Sequence, residues 1–144
     1  VLIAAIMVLA TLVAGCSYTP IFGFPIDQGN IEAGRQAFID HQCHQCHTIA
    51  GVRLPPLAGA SGTMLELGGE TTSVKSYAEL MTSIINPNHA ISERYREQQL
   101  LNAQLPVNSP MPTPQIDNMT VRQLIDLVAF LDSRYMLVEG YEAY

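Results

Sequence analysis

The chain has 144 residues, room for one domain of ordinary size and little more. Its 7 Lys and Arg face 13 Asp and Glu, a formal charge of −6, and Lys75 is the single lysine, which excludes a basic patch for nucleic acid or acidic lipid. Hydrophobic residues make up 48% and charged residues 14%, against about 25% in ordinary domains, so disorder is excluded, and 3 Cys are too few for a disulfide scaffold.

The surplus of apolar residues has a local source. Val1–Gly15 (VLIAAIMVLATLVAG) is uncharged, and only Thr11 and Gly15 in it are not apolar. The run ends in Leu12-Val13-Ala14-Gly15-Cys16 and resembles a bacterial lipoprotein signal, whose lipobox closes on a small residue followed by cysteine. The resemblance implies cleavage before Cys16, diacylglycerol on its sulfur and attachment to a membrane. Acyl chains contribute about 0.8 kcal/mol per buried CH₂, so more than one chain holds a protein durably. Residues 16–29, with two Pro and two Gly, then form a tether. Fifteen residues fall short of the roughly twenty that span a bilayer. The alternatives are an uncleaved anchor, an ordinary secretory signal, or a buried helix with a free thiol. The leading readings place residues 30–144 on the periplasmic or other extracytoplasmic face of a bacterial membrane.

Asn30 is the expected cap of a helix running to about Gln42, with Gly34 and Phe38 on one face. Directly after it comes Cys43-His44-Gln45-Cys46-His47, the C-x-x-C-H spacing of covalent c-type haem attachment. Two cysteines three apart lie on one side of a turn, so both sulfurs can add to the vinyl groups of one haem edge. His47 then projects beneath the ring and offers a nitrogen to iron. A thioredoxin-like dithiol would follow a strand, and no strand pattern precedes Cys43. A zinc site would need further ligands, and only His41, His44 and His89 remain, with no second Cys pair. His41 reads as a surface residue, while His44 is held beside the haem edge, a poor place for an axial ligand.

Segment 51–75 is rich in Gly and Pro and reads as loop. Ser76-Tyr77-Ala78-Glu79 is a capping-box pattern opening an amphipathic helix with Tyr77, Leu80, Met81 and Ile84 that stops near Pro87. Ser92 starts a more polar helix to about Asn102. Pro106, Pro110, Pro112 and Pro114 then forbid helix and stiffen an extended loop that carries Met111, a thioether suited to the second axial position. Met119 and His89 stand as rivals for that position. For any Met the structural alternative is core packing, and Met119 sits where a helix entry would use it so. Thr120-x-x-Gln123 caps the last helix, with Val121, Leu124, Ile125, Val128, Leu131 and Tyr135 on one face and Arg122, Gln123, Asp126 and Asp132 opposite.

Taken in this order, the chain resembles the monohaem class I cytochromes c over about residues 30–136. Gly34 and Phe38, Cys43–His47, Met111-Pro112 and Leu127-Val128-Ala129-Phe130-Leu131 stand where that family has its first helix, haem motif, methionine loop and last helix. The resemblance implies an all-α fold of about four helices around one covalent haem c, with Gly34 letting the last helix cross closely. It further implies that a carbonyl near Pro55 or Pro56 accepts a hydrogen bond from the other nitrogen of His47, and that Arg53 offsets a haem propionate. Two features depart from the family: no lysine ring is present for docking, and the 51–104 region is not generic.

The function these residues imply is one-electron transfer without bond making, hence no enzyme, by a haem held by Cys43 and Cys46 and ligated by His47 and Met111. The expected partners are a redox donor and acceptor, in a membrane respiratory or photosynthetic complex, with the membrane engaged through lipidated Cys16. A fixed subunit of a membrane oxidoreductase complex is the alternative, and a haem peroxidase or gas sensor, which needs an open sixth position, is a further one.

Overall fold

The computed structural model describes residues 29–56, 65–101, 106–112 and 114–141. The signal or anchor segment 1–15, Cys16 and nearly all of the tether therefore lie outside the described residues. Helix α1 spans Ile31–Asp40 and leads into a 3₁₀ turn at Cys43–Gln45. Strands β1 (His47–Ile49), β2 (Leu65–Leu67) and β3 (Gly69–Thr71) follow. Helices α2 (Tyr77–Ile85), α3 (Glu93–Leu101), the single turn α4 (Pro114–Asp117) and α5 (Val121–Asp132) complete the helical part, and β4 (Tyr135–Leu137) comes last.

The helix starts form as their caps dictate. Asn30 Oδ1 accepts the Ala33 amide at 2.9 Å, and Ser76/Glu79 and Thr120/Gln123 both close reciprocal capping boxes. Helix α1 ends at Asp40, earlier than expected, because Gln42 turns into the left-handed region at φ 57° and redirects the chain into the 3₁₀ turn. Helix α2 stops at Ile85, two residues before Pro87.

The core lies where α1 and α5 cross. Phe38 meets Phe130 edge to face, with ring centroids 5.9 Å apart, and Leu127 and Val128 fill the remaining space. Such an aromatic pair contributes about 1 kcal/mol beyond its area burial. A side chain at Gly34 would collide with the Asp126 carbonyl oxygen and lie 2.7 Å from Phe130 Cβ, so only glycine permits this approach. Leu80 and Ile84 of α2 and Ile49 of β1 extend the same core.

Three expectations about the last helix change. Asp126 does not face solvent: it is 6% exposed and accepts the Asn30 amide at 2.8 Å. The polar face of α5 is thus turned towards the N-terminus of α1, where a carboxylate satisfies a free amide. Val121, placed on the apolar face, is 75% exposed because it lies in the first turn, beyond the crossing. Tyr135 belongs to β4 and reaches the core from there.

Segment 51–75 also departs from a plain loop. β1 pairs with β2 and β3 with β4, both in parallel. The described residues are still dominated by helix, with four helices of nine residues or more. The strands are three residues each, too short to carry a readable alternation.

Candidate haem-attachment site

The site is built at the C-terminal end of α1. The left-handed Gln42 starts a tight turn in which the Gln45 amide donates to the Gln42 carbonyl at 2.9 Å and the Cys46 amide to the Cys43 carbonyl at 3.2 Å. This turn brings Cys43, Cys46 and His47 together, the last as the first residue of β1. Both cysteines are free thiols. Cys43 packs against the hydrophobic core, whereas Cys46 is exposed. Burial pushes the Cys43 thiol up to about 11. A redox dithiol needs the opposite shift, towards thiolate, and a strand before the pair. Here a helix, not a strand, precedes it, and Cys43 is shifted away from thiolate. Among the described residues no group of three His, Cys, Asp or Glu could hold a metal ion.

The residues fit a haem in a way the sequence did not reveal. Nδ1 of His44, Nδ1 of His47 and Nε2 of His41 are all buried without a hydrogen-bond partner. Buried polar atoms are almost always paired, so three in one seven-residue segment mark a place shaped around something other than protein. Burial also holds the His47 imidazole below its ordinary pKa, a Leu65 backbone group pulling the other way, so the ring favours the neutral form that ligates iron. His41, expected at the surface, is only half-exposed.

The hydrogen bond expected from His47 to a carbonyl near Pro55 or Pro56 is not made: Nδ1 has no partner. Both prolines are exposed, and it is Leu65 that stands opposite His47 in the strand register. Arg53 is exposed too, and its carbonyl accepts a bond from Arg35 at 3.3 Å.

Met111 lies half-buried on the extended loop its prolines dictate. Its amide donates to Ser109 Oγ at 3.2 Å, and the Ser109 amide donates to Asn88 Oδ1 at 2.8 Å. Asn88 therefore ties the methionine loop to the turn after α2, a role that no local pattern announces. Met119 packs against the core and His89 is exposed.

The cytochrome c family model matches residues 31–134, more than two thirds of the chain. No curated protein and no solved structure matches it. The matched span runs from the first residue of α1 past the end of α5 and contains the attachment turn, the methionine loop and the helix crossing. The chain thus belongs to the cytochrome c family, proteins that bear covalently bound haem and serve in electron transfer.

Proposed function

We propose that this protein is a membrane-tethered, extracytoplasmic one-electron carrier with a single haem c, joined through Cys43 and Cys46 and ligated by His47 and Met111. The observation that carries the reading is the turn in which two unpaired cysteines and a histidine whose buried Nδ1 has no partner succeed one another at C-x-x-C-H spacing. When bound, haem supplies the Fe(III)/Fe(II) couple. The chain's own residues set its conditions. Cys43 and Cys46 fix the ring to the backbone, so the group is retained outside the cell. His47 presents a neutral imidazole from the start of a paired strand. Met111 offers a soft thioether from a loop already stiffened by prolines and by the Asn88–Ser109 bond, so little order is lost on ligation. Cys43, the first attachment cysteine, is itself packed against the hydrophobic core, so the ring would be joined at an apolar edge of the domain, where burial favours the reduced ion.

Lipid on Cys16 would keep the carrier near membrane-bound redox partners, where high effective concentration replaces tight docking. With a formal charge of −6 and a single lysine, the protein suits a basic docking site on its donor or acceptor. The test is the alkaline pyridine spectrum of the exported full-length protein. A two-thioether haem is expected in the wild type and a one-thioether haem in Cys43→Ala, with Cys16→Ser released from the membrane fraction. Free haem, or an unchanged spectrum in Cys43→Ala, refutes the attachment. A Cys16→Ser protein that stays in the membrane refutes the lipid tether.

A further inference from the structure

The strand that carries His47 is held by more than its partner. β1 and β2 pair with His47 opposite Leu65 and Ile49 opposite Leu67. The ladder closes at both ends: the Leu65 amide donates to the Cys46 carbonyl at 2.9 Å, and the Ala50 amide to the Leu67 carbonyl at 2.9 Å. β2 passes into β3 through Gly68 alone, and β3 pairs with β4, Gly69 opposite Tyr135 and Thr71 opposite Leu137. This ladder closes too, with the Gly69 amide on the Arg134 carbonyl at 2.9 Å and the Val138 amide on the Thr71 carbonyl at 2.9 Å.

An isolated pair of such short strands is not stable in water, so the first ladder depends on what holds the second. β4 leaves α5 almost directly and is well anchored. Tyr135 packs on the core, the Arg134 guanidinium lies 5.8 Å from the centre of the Phe130 ring, and Ser133 Oγ donates to the Phe130 carbonyl at 2.6 Å. The corner between the ladders is pressed against this anchor. Gly68 has φ +84°, and a Cβ there would sit 2.8 Å from Arg134 Cβ and 2.9 Å from its carbonyl oxygen. An axial histidine is ordinarily oriented by a hydrogen bond from its second nitrogen. Nδ1 of His47 has no partner, and the backbone that bears on its ring is that of Leu65, its register partner, so the β1–β2 pairing governs how the imidazole stands.

We propose that β4 is the positioning element of the axial histidine: by fastening β3 to the end of α5, it fixes β2 and, through β2, the strand on which His47 stands. The proposal rests on His47 as iron ligand. Its test uses the haem-loaded full chain with Val138→Pro, which removes the amide bonded to Thr71, Val138→Ala, which keeps it, and Gly68→Ala at the strained corner. In Val138→Pro and Gly68→Ala, native-state hydrogen exchange at the Leu65 and Ala50 amides should quicken by about 10-fold, the equivalent of one lost hydrogen bond. Amides within α1 and α5 should keep their wild-type rates. The g-anisotropy of the ferric EPR spectrum should change in the same two variants, while Val138→Ala matches wild type in both measurements. Unchanged exchange at Leu65 and Ala50, uniform quickening throughout the chain, or faster exchange with an unaltered EPR spectrum would each overturn the positioning role. A wild-type EPR spectrum without histidine ligation refutes the functional reading instead, and does so before any variant is made.

Discussion

At the crossing of α1 and α5 the two backbones approach through Gly34, and the largest side chains between them, Phe38 and Phe130, are buried completely. Helix α3 is built on other terms. Its sequence, ERYREQQLL, carries no apolar stripe, contributes no described residue to the core and leaves Leu101 87% exposed. The methionine loop that follows is tied down by the hydrogen bond from Ser109 to Asn88. The difference teaches where stability and tuning reside. Burial at the crossing fixes the frame that holds the attachment turn, while the α3–loop side can vary in sequence at little cost in folding free energy. That side also carries the second iron ligand proposed above.

Substitutions can break this comparison or sharpen it. The largest effect is expected from Gly34→Ala, whose Cβ has no space against Asp126 and Phe130 and must push the helices apart. A loss of about 3 kcal/mol in denaturant unfolding is expected; a loss below about 0.5 kcal/mol would mean that the crossing is not close-packed. Next comes Asp126→Ala, which strips the Asn30 amide of its acceptor and should cost about 2 kcal/mol. Asp126→Asn keeps an acceptor and should recover more than half of that. Equal losses in the two variants would show that charge, not the hydrogen bond, matters there.

A smaller, pH-dependent effect is expected at α2. The Ser76 backbone and side chain hold the Glu79 carboxyl below its ordinary value of 4.5. A carboxyl depressed in the folded state stabilises above its unfolded pKa, and that contribution disappears as pH falls through the folded pKa. Acid titration from neutral pH should therefore release Glu79 below about pH 4.5, with fraying of α2 seen by NMR, and Ser76→Ala should lack this step. The smallest effect belongs to Leu101→Ser on α3, which should stay within about 0.5 kcal/mol of wild type. A loss approaching that of Gly34→Ala would erase the distinction between the two regions.

The sequence disclosed the parts of the fold governed by local chemistry. Asn30, Ser76 and Thr120 announce helix starts through their own side chains, and Pro87 and the loop prolines 106, 110 and 112 keep helix out. Pro114, expected to do the same, instead opens the single turn α4, because proline suits a first helical position. The close crossing at Gly34 followed from the family resemblance. Parts that depend on distant partners were not legible. Nothing near Asp126 signals that its carboxylate meets an amide 96 residues away, and a helical wheel assigns it to water. The strands are too short for alternation to show, and the Asn88–Ser109 tie joins residues 21 apart. At the candidate site, the roles proposed for Cys43, Cys46 and His47 come from the fixed spacing that covalent attachment demands. The buried nitrogens of His41 and His44 were not legible, since burial follows from how the turn packs.

Ligation of one haem by His47 and Met111, with Cys43 and Cys46 holding it, is tested most directly by the charge-transfer band of methionine-ligated ferric haem. This band is expected in the wild-type protein and should disappear in Met111→Ala, with the two-thioether pyridine spectrum unchanged. A band that survives in Met111→Ala and vanishes in Met119→Ala, or one absent from the wild type, would contradict that ligation.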